Sequence, residues 1–431
     1  MTFCGAKHPG PVQLSFVNLP KFRQLSYLGK ISYVYRKRIF MKKVLLIIPI
    51  LLSMGARNIC SQSGNDTLVF LLTCGTGTET YSIYGHSALR IVNTGKKHDW
   101  VYNWGVFDFE TPNFAWKFAK GRLDYMLAAE PTQSFLQIYN FEKRYVQAQR
   151  LNLSAAETAK IIALINENLK PENIKYRYDF FYDDCSTRIR DIIEKAVGEK
   201  LLYPPDTGEK SPSFREMVGK YQDPFPWLEF GIDLIMGSTS DKDASYRDRM
   251  FLPIDLQKEL SEAVINRDGK MIPLLKNPDL ILDFDPPVIK QRVLLLPAFI
   301  FTAVLIIFMI MSGMIKERKI IKWFDLVVFT IFSLLAGMMI FFNFFTDHIQ
   351  MQWNLNIIWL NPVIIICLVL IILGKEGIFW FRLLFYIQVA FLILHFILPQ
   401  SFNIGILPLV LILLIRSSVR AGFEWNPLTL N

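Results

Sequence analysis

Five apolar runs close the chain, at about 293–313, 323–343, 355–373, 378–397 and 403–415. Most are near the length that crosses a hydrocarbon core, and the last is short. Backbone groups in a bilayer have no water to bond, so runs of this kind can only be helices. They define a membrane domain of about five transmembrane helices over residues 288–431. Residues 63–287 are left as a separate domain in water, joined to it by the acidic, Pro-containing stretch 279–287.

The connectors between the runs give an orientation. Lys316, Arg318, Lys319 and Lys322 lie between the first two runs and Lys375 between the third and fourth, while Arg416 and Arg420 end the fifth. The alternate connectors, Asp347 to Asn354 and Pro399 to Asn403, hold no Lys or Arg. Cytoplasmic loops carry the positive excess, so the water-exposed domain belongs outside the cytoplasm and the C-terminus inside. Polar groups within the runs are sparse. His395, Gln388 and Asn361 read as packed or interfacial residues, and the spans as an anchor with a lipid-facing platform.

Met41-Lys42-Lys43 followed by the apolar Val44 to Leu52 has the form of a secretory signal, which sets 41–62 apart as a signal peptide and agrees with an external domain. Residues 1–40 read as a non-native or unstructured extension. The formal net charge of +9 is supplied by residues 1–43, which hold nine basic residues and no acidic one. The basic balance therefore does not indicate a nucleic-acid partner.

In the external domain, Thr67 to Thr73 reads as a buried strand and Cys74-Gly75-Thr76-Gly77 as the loop after it. Gly85-His86 opens a second, alternating strand that a turn at 93–97 joins to a third, Asp99 to Phe109, as a hairpin. Helices are expected at about 112–127 and at 154–169, the latter capped by Ser154. Residues 225–237 and 250–253 are apolar enough for core, an acyl groove or contact with the bilayer.

The stretch 176–191 carries the chemistry. An aromatic, strand-like run from Tyr176 to Tyr182 ends at Asp183-Asp184, and Ile189, Ile192, Ile193 and Ala196 mark one face of a helix that begins at once. Cys185 thus stands at a helix N-terminus, where free backbone N–H groups and the helix dipole favour a thiolate, with Arg188 adding positive charge. Thiol catalysis also needs a base and a group to orient it. His86 is the candidate base, with Asn103 or Asp108 on the neighbouring strand to orient it, and backbone N–H groups at the helix start would form an oxyanion site. Cys74 and Cys185 could instead pair as a disulfide. The scattered His and Cys residues do not suggest a metal site, and no cofactor is implied.

Gly85-His86-Ser87-Ala88-Leu89-Arg90, Tyr102-Asn103-Trp104-Gly105 and the whole of Tyr178 to Asp191 resemble the Lnb N-terminal periplasmic domain. The membrane half is similar to that of the Lnb-type lipoprotein N-acyltransferases, so the resemblance spans about residue 65 to the C-terminus. The chain departs from the pattern at Asp184, where Asn is expected, and at Gly75-Thr76-Gly77, where Ser-Pro-Gly is usual. A carboxylate at 184 either raises the thiol pKa or caps the helix.

The resemblance implies an α+β fold, a circularly permuted papain-like domain at residues 63–287, on the periplasmic side of a bacterial inner membrane. It implies a transfer in which Cys185 takes an acyl chain from a membrane phospholipid, with His86 as base and Asn103 as its orienter, and passes it to the N-terminal α-amine of a diacylated lipoprotein. Two other readings use the same residues: a cysteine peptidase or amidase acting on peptidoglycan, and a non-enzymatic envelope protein with Cys74 and Cys185 joined.

Overall fold

The structure is a computed structural model that describes residues 67–423, apart from 206, 207, 209, 290, 291 and 315–317. The extension at 1–40 and the signal-like 41–62 lie outside the described residues.

In chain order the elements are β1 (Thr67–Cys74), β2 (His86–Asn93), β3 (His98–Val106), α1 (Phe114–Ala119), β4 (Asp124–Pro131), α2 (Thr132–Glu142), β5 (Val146–Arg150), α3 (Ala155–Asn168), β6 (Lys175–Arg177) and α4 (Cys185–Val197). There follow β7 (Leu201–Leu202), α5 (Phe214–Gln222), α6 (Pro226–Ile235), α7 (Pro253–Glu262), β8 (Val264–Arg267), β9 (Lys270–Pro273) and β10 (Asp279–Leu282). The last part is helical: α8 (Pro297–Met314), α9 (Arg318–Phe344), α10 (Val363–Leu373), α11 (Ile378–Leu394) and α12 (Ile406–Arg420).

An antiparallel seven-stranded sheet, ordered β10-β5-β1-β2-β3-β4-β6, carries the first part. The strand at 67–73 and the hairpin after it form as their alternation predicts, with Leu71 opposite Leu89 and Leu89 opposite Tyr102. α3 begins where Ser154 predicts, in a capping box with Glu157. On α4, Ile189, Ile192, Ile193, Ala196 and Val197 are buried against β2, β3 and α3. Each such side chain contributes roughly 1.5–3 kcal/mol by leaving water, enough to hold the start of α4 against the sheet.

Three segments differ from the sequence reading. The helix expected over 112–127 lasts only from 114 to 119. Gly121 at φ +69° turns the chain, and β4 then pairs with β3, burying Tyr125 and Leu127. The strand-like run 176–182 keeps only β6, because the Asp179 carboxylate accepts the N–H groups of Phe181 and Tyr182 and folds the backbone into a turn. The linker at 279–287 begins as β10, which pairs with β5 and covers the sheet edge.

The C-terminal helices overlap the five apolar runs, the run at 355–373 being α-helical only from 363 to 373. Among the described residues, 320–344 and 355–373 are long and apolar enough to cross a membrane, and 297–311 and 378–394 are shorter apolar helices. Their shared core also takes in Phe230 and Leu234 of α6, whereas Ile232 and Met236 of the same stretch pack with Phe251 and Leu252 in the first part, and Met250 lies in that part's main core. Gln388, Asn361 and His395 serve packing: Gln388 donates to Trp359 O, Asn361 accepts the Val363 N–H, and His395 lies against Phe391 and Phe402. Asp325, which the hydropathy pattern passes over, is fully buried on α9 between Arg416 and Arg420 of α12.

Candidate active site

The N-terminus of α4, which carries Cys185, packs against β2 and β3, the strands that carry His86 and Asn103. The thiol lies 3.8 Å from Ser186 Oγ. Ser186 Oγ in turn donates to Ser87 Oγ at 3.4 Å, tying the helix start to the strand start. A side-chain carbon added at Gly105 would lie 4.0 Å from Cys185 Cβ and 3.5 Å from the Tyr178 ring, so β3 approaches the cysteine at a glycine. Gly105 has φ +90°, a conformation that side chains disfavour.

His86 Nε2 lies 2.5 Å from Asn103 Oδ1. An amide oxygen only accepts, so Nε2 carries the proton and Nδ1 keeps its lone pair. The β2–β3 register, continued one step past Leu89 and Tyr102, puts Asn103 across from Ala88 on the face that His86 shares, which explains the diagonal contact. Asp108, the alternative orienter, is exposed and accepts the N–H of Glu110 instead. His98 stacks on Trp100 and has no part in the site.

The helix start differs from its expected form in three ways. First, Asp184 caps α4, its Oδ1 accepting the N–H groups of Ser186 and Thr187 at 2.8 Å each. The capping alternative for this residue therefore holds, and it occupies two donors expected to form the oxyanion site. The N–H of Cys185 itself remains for that role. Second, Arg188 forms a two-pronged ion pair with Asp183, at 2.5 and 2.8 Å, and lies over the Tyr176 ring, so its charge is answered by that carboxylate. Third, Cys185 is buried. Desolvation pushes its thiol above the ordinary range, against the lowering by the hydrogen bonds from Ser87 and Ser186. The helix start thus holds a neutral thiol instead of the thiolate expected from its position.

Burial also lowers the His86 pKa to about 4, with the hydrogen bond to Asn103 opposing and the Arg144 charge assisting. Desolvation raises the Asp184 carboxyl well above the usual carboxylate range, and the neighbouring thiol raises it further. Cys74 is a free thiol, as is Cys185, so the disulfide alternative is not formed. Burial pushes the Cys74 pKa up to about 12, which makes it a poor nucleophile. A neutral thiol paired with a neutral imidazole within reach would react by general-base catalysis, in which the ring takes the proton as the sulfur attacks.

Sequence reasoning did not single out Ser87, Arg144 or Gln350. Arg144 is buried beneath the loop after β1, donating to Gly75 O and to Glu142. Gln350 comes from the connector between α9 and α10 and donates to Asp179, the residue that shapes the turn before Cys185. Nothing in the spacing of residues 179 and 350 reveals that contact. Among the described residues no group of His, Cys, Asp and Glu is arranged to hold a metal.

Two family models match the chain. The Lnb N-terminal periplasmic domain covers residues 60–210, with His86, Asn103 and Cys185 inside it, and the Lnb transmembrane domain covers residues 289–424. No curated protein and no solved structure matches. With a periplasmic domain and a transmembrane domain in the order the sequence resemblance implies, the chain is a membrane protein that belongs to the Lnb family.

Proposed function

We propose that the protein is a thiol-dependent lipoprotein N-acyltransferase. Residues 63–287 are taken as a periplasmic catalytic domain of permuted papain-like form, and 288–431 as five spans that hold it at the outer face of a bacterial inner membrane. In this reading His86 Nδ1 removes the Cys185 proton, and the sulfur attacks an ester carbonyl of a phospholipid. The tetrahedral oxyanion meets the N–H of Cys185, and collapse expels a lysophospholipid whose leaving oxygen takes the proton back from the imidazole. The free α-amine of a diacylated lipoprotein's N-terminal cysteine then attacks the thioester, and His86 accepts the amine proton as the thiol is regenerated.

The observation that carries this reading is the His86–Asn103 pair on the two strands against which the Cys185 helix packs. With Nε2 donating to Asn103 Oδ1, Nδ1 is the nitrogen that this reading uses as the base. Membership of the Lnb family supports the lipoprotein substrate, and the apolar helices support a lipid donor drawn from the same membrane.

The test is the intact mass of a reporter lipoprotein from cells carrying the wild-type protein or Cys185→Ala. The amide-linked acyl chain is expected with the first and absent with the second, and equal masses would sink the acyl-transfer reading. Peptide release from cell walls by the wild-type protein alone would favour a peptidoglycan amidase in its place.

A further inference from the structure

We infer that the first part of the chain seats its membrane-facing side in the headgroup layer of the bilayer, through Trp116 of α1 and Trp227 of α6. Lipid is then a direct partner of this part as well as of the spans, an inference that rests on the membrane-spanning reading above.

Each tryptophan packs on a membrane helix at the same end of the bundle. Trp116 lies 5.5 Å from Phe341, in the last turn of α9, and Trp227 lies 5.5 Å from Phe301, just past the first turn of α8. In the orientation set by the Lys and Arg of the connectors, α8 starts and α9 finishes at the outer side, so both contacts mark the outer interface. Trp227 Nε1 also donates to Leu295 O at 2.9 Å, in the segment that leads into α8. These contacts fix the height of each ring without covering it: Trp116 stays 57% and Trp227 48% exposed.

The surroundings are apolar and their charges cancel. α1 buries none of its residues, Phe109 packs on Phe114 from the preceding loop, and Val293, Leu294 and Leu295 are exposed before α8. Along the chain around Trp116, Lys117, Lys120 and Arg122 are matched by Asp108, Glu110 and Asp124, and Arg122 is paired with Asp347. A balanced surface exerts no net pull on anionic headgroups, which needs a cluster of basic residues. What remains is the preference of a large ring with a polar edge for the zone between water and hydrocarbon. Seated there, the domain meets lipid-anchored substrates at the depth of their headgroups.

The experiment places the full-length protein, labelled with fluorotryptophan, in phosphatidylcholine nanodiscs and follows its fluorine resonances, assigned by Trp116→Phe, Trp227→Phe and Trp323→Phe. A phosphatidylcholine with a nitroxide on its headgroup is expected to remove most of the Trp116 and Trp227 signal intensity. A water-soluble gadolinium chelate should leave both largely intact, and adding phosphatidylglycerol should change neither result. Trp323, 61% exposed on α9, reports on the spans themselves. If Trp323 responds to nitroxide lipid while Trp116 or Trp227 responds only to the chelate, that ring stands in water and the inference is overturned. Silence of Trp116 and Trp227 towards both probes means that protein covers them, as a second copy of this chain would, and overturns it equally. If Trp323 too ignores the lipid nitroxide, the spanning reading falls and this inference with it.

Discussion

Asn103 Oδ1 accepts a hydrogen bond from His86 Nε2 at 2.5 Å, and that contact decides which imidazole nitrogen can act as a base. Replacing Asn103 with Ala leaves the ring free to take the other tautomer and to rotate on its strand. Activity is expected to fall by roughly 10²–10⁴-fold, the range for loss of a positioned general base, mainly in kcat. Asn103→Gln, which keeps the acceptor at a different reach, should retain part of the activity. Steady-state acylation of a reporter lipopeptide separates kcat from KM, and a loss confined to KM would exclude an orienting role.

The half-buried pair also implies a pH dependence. His86 is held at about pH 4, below its ordinary 6.5, so the folded protein binds fewer protons there than the unfolded chain. The neutral ring that the mechanism needs therefore persists on acidification until about pH 4, and kcat/KM should keep its neutral value well below pH 6.5. The part of stability linked to this histidine has the same sign: it is fully present above 6.5 and lost as pH falls through 6.5 towards 4. Arg144→Leu removes a positive charge that helps to hold the ring neutral, so its acidic limb should move upward. A pH–rate profile of both proteins checks the sign, and an acidic limb near 6.5 in the wild type would contradict the burial of the ring.

Asp184 tests the state of the nucleophile. Its carboxyl and the Cys185 thiol are both buried, and the thiol adds to the rise of the carboxyl's pKa; by the same coupling an ionised carboxylate holds the thiol's proton on. In Asp184→Asn the side chain still caps the helix, because an amide oxygen accepts the Ser186 and Thr187 N–H groups as a carboxylate does. The thiol then ionises more readily. Alkylation of Cys185 by iodoacetamide at neutral pH should speed up several-fold, since each pKa unit changes the thiolate fraction about tenfold. Thermal melting should change little, and Asp184→Ala should lose about 0.5–2 kcal/mol through the missing cap.

What the sequence makes legible follows from the range of each interaction. The strands through His86 and Asn103, the capped start of α3 and the apolar face of α4 depend on residues a few positions apart, and their periodicity is visible before folding. Cys185 and His86 could be named because the helix start and the strand start each carry a local pattern. Burial was not legible, and it reverses the sign of the thiol shift: the helix N-terminus promises a thiolate, while removal from water holds the proton on. The first half of β4 was read as helix because its pairing with β3 depends on a register that no local pattern records. Asp325 escaped notice because one acidic residue barely alters the mean of an apolar run, although its partners Arg416 and Arg420 lie about ninety positions away.

Gln350 shows that the membrane half shapes the site as well as anchoring it. Its Nε2 donates to Asp179 Oδ1 at 2.6 Å, the oxygen that also accepts the Phe181 and Tyr182 N–H groups in the turn leading to Cys185. The same connector joins the first part of the chain at Thr346, Asp347 and His348, which bond to Ala119, Lys120 and Phe118. Those contacts keep the connector in place when the amide is lost, so Gln350→Leu isolates the single bond to the turn. A hydrogen bond to a charged group is worth about 1.5–3 kcal/mol. If that energy holds the turn in its reactive form, kcat should fall roughly tenfold or more while the protein stays folded in detergent. Gln350→Glu should be worse, because it sets a carboxylate against Asp179. Turnover and thermal melting of both variants read this out: unchanged kcat would make the connector a tether alone, and a lower melting temperature with unchanged kcat would give the bond a purely structural role.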